Sequence, residues 1–321
     1  MKKTSTKIGI FAGVILVFAL VCVLLSLRDV EDFHEKYAGT DLTKDVAGME
    51  RTGSYTNYLL AHENAARPSE SIEVDLYTNS HEGDVREVTS GMPAEGVAKA
   101  LFTDTGSTVT FEVNVPKAGF YNLCAEYLLP ESRGVAAERA VKINGDYPFE
   151  DARNITFARI WTDGGPVRVD NQGNEIRPVQ VEHFDWQKAY FKDEVGFVTE
   201  PYEFYFEQGV NTLTLDAENE PMYLAKLELK AVEEDPDYEA YIASCPSVNA
   251  SDTAKQYMQV IQGEASTYRS ESSLYAKFDR SSPTTYPNSV TTTKMNYVGG
   301  DAWKAAGQWI EWEFEVPEDG F

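Results

Sequence analysis

A chain of 321 residues is longer than one ordinary domain and indicates two. Its 52 acidic and 28 basic residues give a net charge of −24, which excludes a nucleic-acid binder because such a protein needs a basic face. Hydrophobic residues make up 42% of the chain and aromatic residues 12%, which is enough to bury a core. No CxxC, HExxH, GxGxxG or GxxxxGK(S/T) motif occurs. The composition therefore indicates an acidic, aromatic-rich binding protein.

The first 28 residues predict a membrane anchor. Lysines precede an uncharged run at residues 8–27, whose 20 residues span about 30 Å as a helix, the thickness of the hydrocarbon core of a bilayer. The run is long for a cleaved signal peptide and no small-residue cleavage site follows it. Cys22 lacks the small preceding residue expected of a lipidated cysteine. An uncleaved transmembrane helix is therefore favoured over a removed signal peptide or a lipid anchor.

The lysines also predict the orientation, with the N-terminus in the cytoplasm and the bulk of the chain outside the cell membrane. Removing residues 1–28 leaves 24 basic and 52 acidic residues, a net charge of −28, which disfavours anionic polymers as ligands. Residues 29–67 are polar and acidic and read as a juxtamembrane stalk, with a short helix around residues 55–66.

Residues 68–232 predict an all-β domain. Apolar and polar residues alternate along 109–115, and further strand-like runs lie at 121–127, 141–143, 202–206, 213–215 and 225–231. Asn144-Gly145 is a strong two-residue hairpin signal. Many short strands with Pro/Gly turns and little helical periodicity predict an antiparallel jelly-roll β-sandwich.

The chain also repeats itself. Residues 55–59 match 238–242, and the Val-Pro-x-x-Gly-Phe turn at 115–120 matches the one at 316–321. A repeat of this length indicates a duplicated domain. We therefore expect a linker with a short helix at 233–256 and an incomplete second β-sandwich at 257–321, so that this chain would be a fragment of a longer protein.

Three segments carry a likeness to a known family: Glu112–Leu123 (EVNVPKAGFYNL), Val141–Gly145 (VKING) and Glu207–Leu215 (EQGVNTLTL). They resemble galactose-binding-like carbohydrate-binding modules, which are β-sandwiches. Together with Phe157–Trp161, Asp170–Pro178 and Glu220-Pro221, they resemble the N-terminal region of large membrane-anchored extracellular solute-binding proteins of Gram-positive sugar ABC transporters. The likeness covers roughly residues 55–321.

This resemblance implies a non-catalytic carbohydrate-recognition or spacer region. Its partners would be a neutral glycan or oligosaccharide, the membrane through the N-terminal helix, and an ABC permease through a further domain absent from this chain. Two alternatives stay open on the residues alone: the accessory carbohydrate-binding region of a membrane-anchored glycoside hydrolase, and a surface structural stalk or adhesin.

A candidate sugar site lies in the long polar connection at residues 163–192. Connections of this length in compact domains are usually functional or disordered. Two tryptophans accompany it, and an aromatic plane with amide, carboxylate and guanidinium groups suits a sugar, whose apolar face stacks on the ring. The candidate ligand-binding residues are Trp161, Asp170, Asn171, Asn174, Arg177 and Trp186. In the alternative interpretation, both tryptophans cap the sandwich core.

Other candidate chemistry is weaker. His183 lies close to Asp185, but no GxSxG motif accompanies them, and the abundant carboxylates single out no acid–base pair, so no enzyme activity is expected. Trp312 aligns with a core position of the first copy, whereas Trp309 aligns with an exposed one. The family resemblance implies that Glu264 is a ligand of a structural calcium ion; no other cofactor is expected.

Overall fold

The computed structural model describes residues 53–233, 236–245 and 257–317. All described residues belong to one unit, Thr52–Phe321. The predicted transmembrane helix at 8–27 and the predicted stalk up to residue 52 lie outside the described residues. In the described part, no helix is long and apolar enough to cross a membrane.

Twenty strands and two α-helices make up this part of the chain. The strands up to residue 231 are β1 (Ile72–Glu73), β2 (Asn79–Glu82), β3 (Val85–Val88), β4 (Ala100–Thr103), β5 (Thr108–Val115), β6 (Gly119–Leu128), β7 (Ala137–Ile143), β8 (Ile155–Phe157), β9 (Ile160–Asp163), β10 (Arg168–Val169), β11 (Glu175–Ile176), β12 (Gln180–His183), β13 (Gln187–Tyr190), β14 (Glu203–Phe206), β15 (Gly209–Asn219) and β16 (Met222–Ala231). The later strands are β17 (Tyr268–Arg269), β18 (Ala276–Lys277), β19 (Tyr297–Val298) and β20 (Ile310–Glu311). The helices are α1 (Tyr55–Ala61) and α2 (Tyr238–Ser244), with 3-10 turns at Glu150–Arg153 and Gly300–Ala302.

Two antiparallel sheets form the predicted β-sandwich. One has the order β13-β6-β16-β4-β3, with β1 also paired to β16 and β14 also paired to β6. The other has the order β2-β5-β15-β7-β8. Side chains from the inner faces of both sheets pack into one core. Its fully buried residues include Leu123 and Leu227 of the first sheet and Phe111 and Leu213 of the second. The prediction of an all-β sandwich is confirmed.

The alternation predicted along β5 is confirmed residue by residue. Val109, Phe111, Val113 and Val115 are at most 3% exposed, because a strand directs every second side chain to the same face. In strand β16, the run predicted at 225–231 has Leu227 and Leu229 fully buried. Just before this run the register with β6 shifts between Leu224 and Lys226, as at a β-bulge, so that the buried Met222 and Leu224 lie at even positions.

The Asn144-Gly145 turn forms as predicted. Both residues have positive φ, 53° for Asn144 and 91° for Gly145, which is the conformation that a two-residue hairpin turn of this sequence requires. Ile143 and Asp146 on either side exchange backbone hydrogen bonds of 2.9 and 3.1 Å. The chain then passes through the 3-10 turn before β8 pairs with the start of β7.

Helix α1 lies over an edge strand of the first sheet. The hydroxyl of Tyr55 accepts a hydrogen bond from the backbone N–H of Glu203 at 2.8 Å, and the hydroxyl of Tyr58 accepts one from that of Tyr205 at 2.6 Å. These two N–H groups belong to β14, which among the strands of the described residues pairs with β6 only. The two tyrosines therefore satisfy the backbone donors that an edge strand leaves free.

Helix α2 has the same tyrosine spacing as α1. Asp237 caps its N-terminus as Ser54 caps α1, and both helices lie where the sequence predicts them. No residue of α2 is buried, and all its residues are described. Its two tyrosines, Tyr238 and Tyr241, are 78% and 55% exposed.

The expectation of a long polar loop at 163–192 is wrong. Strands β9 and β12 pair along their length, β10 and β11 form a small hairpin at the tip, and β13 then joins the first sheet. We call residues 158–192 the excursion, since they leave the sandwich and return to it. Sequence patterns missed these strands because several are only two to four residues long.

Residues 257–317, predicted as part of an incomplete second sandwich, contain four strands of two residues each. Strand β17 pairs with both β9 and β20, which gives a four-stranded sheet of order β12-β9-β17-β20. This C-terminal segment thus continues the sheet of the excursion. Trp312, predicted to be core, is only half-buried.

Candidate functional site

A buried ion-pair network fixes the base of the excursion. Arg159, immediately before β9, is 2% exposed and bonds to the carboxylates of Glu182 and Glu220 and to two backbone carbonyls. Arg133 bonds to the other oxygen of Glu220 at 2.7 Å. Burial alone would raise the pKa of Glu220, but the hydrogen bonds from Arg133 and Arg159 outweigh it and hold that pKa below its usual value. These bonds connect Arg159 and Glu182 of the excursion to Glu220, which lies between β15 and β16 of the sandwich.

Arg269 fastens the C-terminal segment to the excursion. It is fully buried on β17, and its Nη1 donates to Asp163 Oδ1 at 3.1 Å and to Gln180 Oε1 at 2.8 Å. Its Nη2 donates to the carbonyl of Ser266 at 3.0 Å. The guanidinium therefore connects the C-terminal segment to β9 and β12 of the excursion.

The hairpin at the tip of the excursion makes a second contact with the same segment. Asp170 accepts hydrogen bonds from the backbone and side chain of Asn174, which lower the pKa of its carboxyl. Asn174 Oδ1 in turn accepts from the backbone N–H of Thr293 at 2.9 Å. The guanidinium of Arg177 lies 3.6 Å from the ring centre of Tyr275, a cation–π contact.

Four of the six predicted sugar-binding residues therefore lie at this tip contact or beside it. The polar groups of Asp170, Asn174 and Arg177 are engaged within the protein, and Asn171 is exposed. None of the four lines the cavity described next. Their residue types suit a sugar, but equally suit a hairpin that joins two parts of one chain.

A cavity of about 1020 Å³ lies between the excursion, the first sheet and the C-terminal segment. Its volume is at the upper end of the range typical of ligand sites. It brings together three tryptophans that are far apart in sequence: Trp161 and Trp186, both predicted, and Trp309 from the C-terminal segment. We call this cavity the tryptophan cleft.

The aromatic lining of the tryptophan cleft continues on the C-terminal segment. The rings of His183 and Tyr268 stack with their centres 4.7 Å apart and an interplanar angle of 30°. Burial, together with the nearby carboxylates of Glu313, Asp185 and Glu311, raises the pKa of Tyr268. Five carboxylates and three basic side chains line the cleft, so its lining carries a net negative charge, which disfavours anions.

Trp186 is half-buried and incompletely satisfied. Its indole Nε1 is buried and is one of three buried side-chain nitrogen or oxygen atoms in the described residues that lack a hydrogen-bond partner. Tryptophan in a core normally directs this donor to an acceptor. Trp186 therefore does not occupy an ordinary core position.

His183, Tyr268 and Trp309 were not among the predicted site residues. The pairing of β17 with β9 brings the last two to the cleft, and no local pattern announces a contact between strands so far apart in sequence. The half-exposed tryptophan pattern at 309–312 was the one available signal. The sequence analysis placed Trp161 and Trp186 in one candidate site, and both line this cleft, whereas Trp309 was not included in that site.

The calcium site implied for Glu264 finds no support in the described residues. Burial raises the pKa of its carboxyl, and the charge of Glu175 adds to the effect. A calcium ligand needs companion oxygen ligands, yet the described part of the chain holds no group of three or more His, Cys, Asp or Glu residues placed to bind a metal.

Comparisons with known proteins leave the family open. No protein-family model matches the sequence, and no curated protein matches it. Among solved structures, a family 35 carbohydrate-binding module from Clostridium thermocellum is 12% identical and has a TM-score of 0.30, over 50% of this chain and 96% of that one. The Podospora anserina GH26-CBM35 β-(1,4)-mannanase is 8% identical with a TM-score of 0.31, over 53% of this chain and 29% of that one.

A thermostable GH87 α-1,3-glucanase from Streptomyces thermodiastaticus strain HF3-3 is 19% identical with a TM-score of 0.29, over 54% of this chain and 28% of that one. This chain thus spans less than a third of the mannanase and the glucanase. Similarities of this size establish neither a ligand nor an activity here. The β-sandwich stated above follows from the strand pairing of the chain itself.

Proposed function

We propose that this chain is a non-catalytic carbohydrate-binding protein whose ligand occupies the tryptophan cleft. The observation that carries the proposal is the meeting of Trp161, Trp186 and Trp309 in one cavity of about 1020 Å³. Aromatic planes recognise the apolar C–H faces of sugar rings, and polar groups beside them bond to the hydroxyls.

The ligand that fits this lining is a neutral glycan. The exposed carboxylates of Asp185, Glu311 and Glu313 line the cleft and accept hydrogen bonds from hydroxyl groups. The same carboxylates, with the net charge of −24 of the chain, oppose uronic acids, phosphates and other anions.

A binding role without catalysis agrees with the electrostatics of the carboxyl groups. A glycosidase requires a general acid whose pKa is raised, facing a second carboxylate across the substrate. Among the described residues, burial raises the carboxyl pKa of Asp151, Glu182 and Glu264, and none of these three lines the cleft.

The wider setting proposed for this chain comes from its sequence alone. The uncharged run at residues 8–27 favours a membrane anchor, with the bulk of the chain outside the cell. The motif segments resemble the N-terminal region of sugar-uptake solute-binding proteins of ABC transporters. In that setting the sandwich would hold a glycan near the membrane, where a further domain would pass sugar to a permease.

Affinity electrophoresis through neutral polysaccharides such as galactomannan, xylan and mixed-linkage β-glucan tests the proposal. The full chain is used, in a detergent without a sugar headgroup. At least one of these polymers should retard the wild type, and Trp186→Ala should weaken that binding at least about fivefold, since an aromatic contact contributes roughly 1 kcal/mol beyond its buried area.

Trp303→Ala is the matched control, because Trp303 is 45% exposed and does not line the cleft. It should bind like the wild type, and the melting temperature of Trp186→Ala should stay within a few degrees. Global unfolding of Trp186→Ala would make Trp186 a core residue. Equal retardation of wild type and Trp186→Ala would remove the cleft as the binding site.

A further inference from the structure

A rigid loop presents an exposed phenylalanine beside the tryptophan cleft. In residues 193–198, the carboxylate of Asp193 accepts three backbone hydrogen bonds, from Val195 at 2.8 Å, Phe197 at 2.6 Å and Val198 at 3.0 Å. The backbone conformation of this loop, which we call the Asp193 loop, is thereby set by one side chain.

Phe197, on this loop, is 90% exposed. Burying a phenylalanine side chain normally gains roughly 1.5–3 kcal/mol, and this one forgoes that gain although its loop is held in place. Val195 on the same loop is 69% exposed. The phenyl ring and the valine side chain are therefore both free to contact a bound molecule.

The Asp193 loop adjoins the mouth of the cleft. Lys192, Glu194 and Thr199 are exposed residues of this stretch and also line the cavity, so the cavity opens to solvent here. The loop also lies close to the C-terminal segment: a β-carbon added to Gly196 would lie 2.5 Å from Cβ of Ala306, which lines the cavity.

We infer that Phe197 is an outer contact for a linear neutral polysaccharide whose chain runs out of the tryptophan cleft across the Asp193 loop. The inference rests on the proposed function and specifies its ligand: a polymer bound along its length, rather than a free mono- or disaccharide. A chain leaving the cleft on this side meets the loop first, and a flat ring is the surface on which a further sugar stacks.

A membrane surface fits the same loop poorly. Asp193, Glu194 and Glu200 lie within four residues of Phe197 along the chain, and their negative charges disfavour anionic lipid headgroups. The hydroxyl groups of a neutral polymer can instead donate hydrogen bonds to these carboxylates.

The test compares ligand length. With the polysaccharide that retards the wild type, affinities are measured for the polymer and for its oligosaccharides from the disaccharide upward. Phe197→Ala should weaken binding of the polymer about three- to tenfold and leave the disaccharide affinity unchanged. Trp186→Ala should weaken both. Tyr238→Ala, which removes another highly exposed aromatic ring, should change neither.

Each alternative has its own signature. Unchanged polymer affinity in Phe197→Ala, with Trp186→Ala defective, overturns the outer contact and leaves the cleft intact. Equal losses for disaccharide and polymer would place Phe197 inside the cleft and also contradict the inference. A wild-type dimer in sedimentation that Phe197→Ala dissociates, or binding of wild type to phosphatidylcholine vesicles that this variant loses, would assign the loop to a second copy or to a membrane. If no neutral polymer binds the wild type, the inference falls together with the proposed function.

Discussion

Removing two hydroxyl groups from helix α1 should measurably destabilise the sandwich. In the double variant Tyr55→Phe/Tyr58→Phe the rings remain, so the edge-on contacts of Tyr55 with Phe149 and Tyr202, both with ring centres 4.8 Å apart, are kept. What disappears is the acceptor for the backbone N–H of Glu203 and the acceptor for that of Tyr205. Both donors lie on a half-buried edge strand.

The size of the effect follows from the cost of an unmade hydrogen bond. A net hydrogen bond contributes about 0.5–1.5 kcal/mol, and a buried donor left without a partner costs about 1–3 kcal/mol. With both donors only half-buried, we expect the free energy of unfolding to fall by about 2–3 kcal/mol for the double variant. At roughly 2–4 °C per kcal/mol for a domain of this size, the melting temperature should fall by about 4 °C or more.

Helix α2 supplies the matched control. Tyr238→Phe/Tyr241→Phe removes the same atoms from the same positions of the repeated helix, where the tyrosines are 78% and 55% exposed. Exposed substitutions usually change stability by less than about 0.5 kcal/mol. Thermal unfolding followed by circular dichroism distinguishes the two pairs. Equal melting temperatures for both double variants would refute the capping role of α1.

Further predictions concern pH and the independence of the C-terminal segment. The pKa of Glu220 is lowered from its ordinary value of 4.5, so its carboxylate stabilises the fold above pH 4.5 and this contribution is lost as the pH falls below that value. Glu220→Gln should lower the free energy of unfolding by about 3–5 kcal/mol at neutral pH and flatten the acid side of the stability–pH profile. An unchanged acid side would contradict this. Burial raises the pKa of Tyr55 from 10.0 to about 12, so stability should fall as the pH rises from 10 towards 12, and less so in Tyr55→Phe. Residues 238–321 expressed alone should show no cooperative unfolding transition, because their strands are two residues long and β17 pairs with β9; a sharp melt of that polypeptide would refute this.

Local patterns predicted the parts of the fold whose causes are local. The alternation along β5, the Asn144-Gly145 turn and the two short helices each depend on residues within a few positions of one another, and all are present in the structure. The bulge in β16 between Leu224 and Lys226 was not predicted, because a bulge depends on the partner strand as well as on the sequence.

The candidate site was predictable only in part, since its causes are non-local. Trp161 and Trp186 were identified from their polar neighbourhood, but those polar neighbours serve a different contact. Asn174 bonds to Thr293 and Arg177 packs on Tyr275, and nothing in the local sequence distinguishes an amide that binds a sugar from one that binds another part of the chain. Trp309 reaches the cleft because its segment pairs with β9, which no periodicity encodes.

The pairing of β17 with β9 also sets the order in which the molecule is completed. The hydroxyl of Thr162 donates to the carbonyl of Thr267 across 105 residues of sequence, and the guanidinium of Arg269 reaches Asp163 over 106. Contacts of such separation form late, because a long loop must close before they contribute. A chain emerging from the ribosome can therefore assemble both sheets of the sandwich and the excursion with Trp161 and Trp186, and Trp309 joins them only after residue 309 has been synthesised.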